Sequence, residues 1–161
     1  MSLRENLHRA ARIESHEREN SLKPAAVNSP KIKATVIGVY NADGGILGEL
    51  SYVLGHLIGV RSCSLCDISH SPVKMKSAFK QLQRELLAKH RISLKMIHRN
   101  ERNESETRAS ENREPCMLLE HADQSISMFL DSAELKTLAG NVESFKKLIY
   151  SRLDMFQLLD K

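Results

Sequence analysis

The feature that most constrains the fold is an unbroken apolar and β-branched run at residues 34–40, with the sequence ATVIGVY. Such a run is typical of a central strand that is buried on both faces of a sheet. The sequence NADGG at residues 41–45 follows at once and is typical of a tight turn, in which Asp43 can cap a following helix. The chain is therefore predicted to build an α/β domain around this strand.

The helical spacing of apolar residues then predicts two helices, one over residues 46–58 and the other from Pro72 to about His90. Between them, residues 60–71 show no helical period and are predicted to connect the two helices without forming one. Alternating apolar residues predict a strand over residues 92–98. The order strand, helix, helix, strand is expected to give two parallel neighbouring strands.

The last third of the chain shows a second pattern. Two apolar runs, at residues 116–120 and 125–130, predict an antiparallel hairpin. A final helical region is expected to follow, with a cap at Asp131 or Ser132 and an interruption at Gly140.

Two segments are rich in charged and polar residues and are predicted to lie outside the core. Residues 1–30 are expected to form a flexible or partly helical extension, so that the α/β domain spans residues 31–161. Residues 99–114 contain almost nothing apolar and are expected to form a long, mobile, solvated loop.

Composition limits the classes of partner. With 161 residues, 41% of them apolar, the chain can bury one sizeable core. It has no run of the roughly 20 apolar residues that a membrane span needs, and no apolar secretory signal, so a cytoplasmic protein without a membrane partner is expected. The net charge of +4 comes from 24 basic and 20 acidic residues that are intermixed, and there is no Trp to stack on bases. A nucleic-acid partner is therefore not expected, and the partner is an unidentified protein or small molecule.

The predicted order of elements is similar to that of the thioredoxin-like superfamily, over roughly residues 34–150. In that superfamily a proline, usually cis, precedes the third core strand beside the active site, and Pro115 occupies this place. The resemblance implies a mixed sheet of about four strands flanked by helices. It differs in one respect, because the superfamily's Cys-x-x-Cys lies in the first strand-to-helix turn, which here is the sequence NADGG.

Three strings also resemble a group of small bacterial proteins whose activity is not established. They are VYNADGG at residues 39–45, CSLCDISH at residues 63–70 and HRNE at residues 98–101. This resemblance is carried by the motifs and implies no activity.

Topology is expected to bring these strings together. The carboxyl ends of two parallel strands lie at the same edge of a sheet, and ligands of open α/β sheets bind at that edge. The connection between the two predicted helices must climb to the same edge and carry the cysteines there. Five residues are therefore predicted to contact a substrate: Asn41, Asp43, His98, Glu101 and Cys116.

The candidate catalytic group is Cys63, Cys66 and Asp67. Three cysteines are too few for a disulfide scaffold, so a Cys-x-x-Cys pair indicates redox or metal chemistry. In the redox interpretation one thiolate attacks a substrate disulfide and the other resolves the mixed disulfide. Two features oppose thiolate formation, since Asp67 is negatively charged and Cys66 lies before the helix that is expected to start at Pro72.

Two other interpretations stay open. Cys63, Cys66 and His70 have a spacing that lets three groups face one metal ion, zinc or another metal, although no cofactor follows with certainty from the sequence. A fourth ligand would come from one of three side chains: Cys116, His98 or His121. Alternatively, the protein is a non-catalytic interaction domain in which these residues only join the segment to the sheet. The sequence leaves open whether the protein is an enzyme.

Overall fold

Four strands form the central sheet of the structure, a computed structural model that describes residues 31–42, 63–71 and 74–160. The strands are β1 (Ala34–Val39), β2 (Ile92–Ile97), β3 (Cys116–Glu120) and β4 (Ile126–Leu130). They lie in the order β2-β1-β3-β4. Three of the predicted features lie outside the described residues, namely the extension at residues 1–30, the helix over residues 46–58 and the cap at Asp43, and Pro72 itself lies outside them too.

β1 lies between one parallel and one antiparallel neighbour. It runs parallel to β2, with Ala34 opposite Ile92 and Val39 opposite Ile97, and antiparallel to β3, with Val39 opposite Cys116. β3 and β4 form the predicted hairpin. Because both faces of β1 are covered, successive positions along it are apolar, as the sequence indicated. The predicted α/β class, a mixed sheet of four strands flanked by helices, is confirmed.

The described residues contain five α-helices and a 3₁₀ turn at Arg99–Glu101. The helices are α1 (Ser64–Ser69), α2 (Ser77–His90), α3 (Glu104–Ser110), α4 (Ser132–Thr137) and α5 (Val142–Met155). Asp131 caps α4 and Asn141 caps α5, so the predicted final helical region and its interruption near Gly140 are confirmed. None of the described helices combines the length and the apolar character that crossing a bilayer requires.

One face of the sheet carries the larger apolar core, which α1, α2, α4 and α5 cover. Their fully buried apolar side chains are Leu65 and Ile68 in α1, Phe79, Leu82 and Leu86 in α2, Leu135 in α4, and Phe145, Ile149 and Leu153 in α5. Phe79 stacks on Phe145 with ring centroids 5.7 Å apart. Aromatic contacts of this kind contribute beyond the area that the rings bury, and here they join α2 to α5.

The opposite face carries a smaller cluster, which α3 covers. Its fully buried members are Ile37, Val39, Cys116 and Leu118. Ala109 of α3 packs against this cluster, and Lys95 of β2 forms an ion pair with buried Glu106 of α3 at 2.9 Å. Apolar packing and an ion pair therefore both attach α3 to the sheet.

The prediction of a long mobile loop over residues 99–114 is wrong, because the segment folds into the 3₁₀ turn and α3. The Asn103 side chain accepts a hydrogen bond from the backbone N–H of Glu106, and the Glu106 carboxylate accepts one from the backbone N–H of Asn103, both at 2.8 Å. Arg102, before α3, also pairs with Glu114, after it. Hydrogen bonds and an ion pair, rather than apolar burial, stabilise this segment, and a count of apolar residues does not detect them.

The connection predicted over residues 60–71 also differs from the prediction, because α1 lies within it. Leu65 and Ile68, three residues apart on one side of the helix, are both fully buried. The side chain of Cys63 caps the first turn. One pair of apolar residues is too short a pattern to reveal a helix in the sequence.

α2 begins at Ser77 rather than at Pro72. Before it, the backbone N–H of Lys76 donates to the carbonyl oxygen of Ser69 at 2.9 Å, and the chain folds back on itself directly after α1. Residues 74–76, which the predicted helix would include, are not helical.

Candidate functional site

The cysteine pair lies at the start of α1. Cys63 is the N-cap residue of this helix, and Cys66 lies in its first turn. The two residues are joined as a disulfide with Cα atoms 5.1 Å apart, within the range that disulfides span. The backbone N–H of Cys66 donates to Sγ of Cys63 at 3.3 Å. Both residues are partly exposed, so a partner can reach the pair.

Close contacts fix α1 on two sides. On the sheet side, Leu65 packs over Gly38 of β1, where an added Cβ would lie 3.2 Å from the Leu65 side chain. On the other side, Nζ of Lys76 donates to the carbonyl oxygens of Asp67 at 2.5 Å and Gly140 at 2.9 Å. Gly140 has φ +73°, and an added Cβ there would lie 3.2 Å from the Asp67 carbonyl oxygen. Glycine is thus required where the connection between α4 and α5 approaches α1.

Three polar side chains meet where β1 and α1 both end. Oη of Tyr40 lies 2.9 Å from Oγ of Ser69 and 3.3 Å from Nδ1 of His70. Oγ of Ser69 lies 2.8 Å from Nδ1 of His70 and 2.8 Å from the carbonyl oxygen of Leu65. The end of α1 is therefore bonded to the end of the central strand through side-chain hydroxyl groups.

The positions of the protons follow from the number of donors. A serine hydroxyl has one proton and a carbonyl oxygen only accepts, so Ser69 donates to Leu65. Tyr40 must then donate to Ser69, and Nδ1 of His70 must carry the proton that it shares with Ser69. Neutral His70 is thereby assigned the tautomer with its lone pair on Nε2.

Burial keeps this group in its neutral form. It raises the pKa of Tyr40, with the hydrogen bond to Ser69 acting in the opposite direction, so the phenol retains its proton. Burial also lowers the pKa of His70, and the positive charges of His98 and Lys80 lower it further. The uncharged imidazole is therefore favoured beside α1.

His98 and Glu101, at the end of β2, form a close pair. The Glu101 carboxylate accepts hydrogen bonds from the backbone N–H of His98 at 2.6 Å and from its Nδ1 at 2.8 Å. These two bonds hold the pKa of Glu101 below its usual range. The Tyr40 ring contacts both imidazoles, with its centroid 5.2 Å from that of His98 and 6.0 Å from that of His70.

Comparisons with protein-family models, curated proteins and solved structures give no match.

The structure brings together only part of the predicted site. Tyr40 connects the cysteine helix to His98 and Glu101, whereas Asn41 lies partly exposed just after β1, and Asp43 lies outside the described residues. Cys116 is fully buried on the opposite face of the sheet, away from the core face on which Cys63 and Cys66 pack. Burial raises the pKa of its thiol to about 12.

The zinc interpretation has no ligand set in the described part of the chain. Among residues 31–42, 63–71 and 74–160, no three His, Cys, Asp or Glu side chains are grouped so that they could hold a metal ion. Cys116 lies on the other face of the sheet, and His121 lies in the hairpin turn, bonded to Ser127 at 3.0 Å.

Sequence reasoning missed Ser69, which joins Tyr40 to the cysteine helix. A lone serine in a short segment gives no signal in a single sequence. Tyr40 gives a weak one, because it is the polar-tipped residue that ends the apolar run of β1.

Proposed function

We propose that the protein is a thioredoxin-like thiol–disulfide exchange protein of the cytosol, with Cys63 and Cys66 as the exchanging pair. The observation that carries this proposal is the pair itself: two partly exposed cysteines, joined as a disulfide, with Cα atoms 5.1 Å apart. A backbone with this spacing suits the disulfide and leaves both sulfur atoms near each other when the bond is reduced.

The exchange proceeds in two substitutions at sulfur. The Cys63 thiolate attacks a substrate disulfide, forms a mixed disulfide and releases one substrate thiolate. The Cys66 thiolate then attacks Sγ of Cys63, closes the intramolecular disulfide and releases the second substrate thiolate. Two electrons pass from the protein to the substrate, and a dithiol reductant or glutathione returns them.

Cys63 is assigned the attacking role. Its sulfur accepts the backbone N–H of Cys66 at 3.3 Å, an interaction that favours a negatively charged sulfur over a thiol. Cys66 lies in the first turn of the same helix and is placed to resolve the mixed disulfide.

Asp67 is assigned an opposing role, because it is exposed and follows Cys66 directly. A carboxylate near a thiol disfavours the thiolate, so Asp67 moderates the reactivity of the pair. Asp67→Asn should increase the rate at which the reduced pair reacts with a small aromatic disulfide at neutral pH. Asp154→Asn, an exposed position on α5, is the matched control and should leave that rate unchanged.

The arrangement of the sheet supports the thioredoxin-like part of the proposal. β1 runs parallel to β2 and antiparallel to β3, and β4 completes a hairpin. Pro115 directly precedes β3. α1, with the cysteine pair at its start, packs on the central strand β1.

Titration against glutathione tests the proposal. The chain is equilibrated at several ratios of reduced to oxidised glutathione, quenched in acid and alkylated, and the free thiols are counted by mass spectrometry. We expect the thiols of Cys63 and Cys66 to disappear together as the ratio falls and to return when it rises. Cys66→Ser should accumulate a glutathione adduct on Cys63, because the resolving thiol is missing.

Two results would contradict the proposal. In one, the wild-type chain keeps all three thiols at every ratio. In the other, it forms glutathione adducts that never resolve to an intramolecular disulfide.

A further inference from the structure

Tyr40 links the centre of the sheet to the cysteine helix through one buried hydrogen bond. Its side chain is 4% exposed, Ser69 is fully buried, and their hydroxyl oxygens lie 2.9 Å apart. Tyr40 follows the last residue of β1, and its own backbone N–H donates to Ile97 of β2 at 2.9 Å. The phenol is therefore fixed to the sheet at its backbone and to α1 at its hydroxyl.

On the helix side, this link reaches the turn that contains Cys66. Oγ of Ser69 lies 2.8 Å from the carbonyl oxygen of Leu65 and 3.4 Å from that of Cys66. The backbone N–H of His70 also donates to the Cys66 carbonyl at 2.8 Å. α1 has only six residues, a length of about 9 Å. A contact at its last residue therefore restrains the cysteine turn as well.

We propose that Tyr40 and Ser69 are positioning residues for thiol–disulfide exchange, whose shared hydrogen bond holds α1 so that the two thiols stay close together in the reduced protein. The inference rests on the proposed function and identifies what sets the redox equilibrium of that site. Both residues act through the backbone of α1, by way of Leu65 and Cys66.

The direction of the effect follows from what restrains α1 in each state. In the oxidised protein the covalent bond joins Cys63 to Cys66 directly. In the reduced protein that restraint is gone, and only non-covalent contacts keep the thiols near each other. Losing the Tyr40 hydroxyl lets the reduced helix loosen and lowers the effective concentration of one thiol at the other. The disulfide then becomes easier to reduce.

The test is a double-mutant cycle on the equilibrium constant for disulfide formation with glutathione. Tyr40→Phe keeps the ring and removes only the hydroxyl, and Ser69→Ala removes its partner. Tyr40→Phe should lower the equilibrium constant about fivefold, as expected for one hydrogen bond, and Ser69→Ala, which also loses the bonds to Leu65 and His70, should lower it at least as much. The double variant should lower it no further than Ser69→Ala alone. Tyr150→Phe removes a hydroxyl from a partly buried tyrosine on α5 and should leave the constant unchanged.

The outcomes separate this inference from the function on which it rests. A wild-type equilibrium constant in Tyr40→Phe, with the disulfide still reversible, overturns the inference and leaves the proposed function standing. Fully additive effects in the double variant also overturn it, because the hydroxyl groups would then act independently. A wild-type chain that never forms the disulfide overturns both. Circular dichroism verifies that each variant folds. If Ser69→Ala does not fold, the equilibrium constants of Tyr40→Phe and Tyr150→Phe are compared, and a wild-type value in Tyr40→Phe overturns the inference.

Discussion

Arg102 and Glu114 form an ion pair that closes the segment between β2 and β3. Their side chains are 12% and 8% exposed, respectively. Arg102 also donates to the carbonyl oxygen of Arg99 and to Oγ of Ser110, both at 2.8 Å. One guanidinium group thus joins the 3₁₀ turn, the end of α3 and the residue before Pro115.

Arg102→Ala should lower the free energy of unfolding by about 3 kcal/mol, because Glu114 would keep a nearly buried charge without its partner. Arg108→Ala is the matched control, since Arg108 pairs with exposed Glu104 one helical turn away and should cost less than about 0.5 kcal/mol. Urea unfolding followed by circular dichroism measures both. Equal small losses would mean that Arg102 contributes no more than a surface charge.

The same segment shows why part of the fold was not predictable from apolar pattern. Residues 99–114 contain almost no apolar side chain, yet Glu106 and Ser110 are buried because other polar groups satisfy them. A signal was nevertheless present, since Asn103 followed three residues later by Glu106 has the spacing of a capping box. An argument that weighs conformational entropy only against apolar burial does not predict a helix that hydrogen bonds and ion pairs stabilise.

The sheet was predictable because side-chain period and topology determine it. The apolar run of β1 predicted a strand that is buried on both faces of the sheet. Two apolar runs around a polar turn predicted the hairpin of β3 and β4. Parallel strands then placed Tyr40 and His98 at one edge. The face of the sheet on which Cys116 lies depends on the register of β3 against β1. In that register Cys116 lies opposite Val39, and both side chains belong to the smaller apolar cluster. A single sequence does not give that register.

Cys116 should be inert in the folded protein. Burial raises the pKa of its thiol to about 12, so almost none of it is thiolate near neutral pH, and no reagent can reach it. A maleimide should therefore label Cys63 and Cys66 in the reduced folded chain, and all three cysteines after unfolding in guanidinium chloride. Mass spectrometry of the labelled peptides identifies the sites. Rapid labelling of Cys116 without denaturant would mean that the smaller apolar cluster opens readily.

The stability of the protein should fall as the pH drops below about 6.5, because the pKa of His70 is lowered from that value in the folded state. In this window the unfolded chain binds a proton that folded His70 does not bind. Unfolding is therefore favoured progressively until the pH passes the folded pKa, below which the contribution stays constant. The causes are burial of the imidazole and the nearby charges of His98 and Lys80.

His70→Asn tests this contribution, because asparagine keeps an N–H donor for Ser69 but does not titrate. The free energy of unfolding, measured in urea between neutral pH and about pH 5, should depend less on pH in this variant than in the wild type. Lys80→Gln should reduce the slope partly, since it removes one of the charges that lower the pKa of His70. Glu101 does not confuse the result: its pKa is lowered from 4.5, so its contribution is lost only at more acidic pH. An unchanged slope in His70→Asn would assign the pH dependence to other groups and would show that protonation of His70 is not coupled to folding.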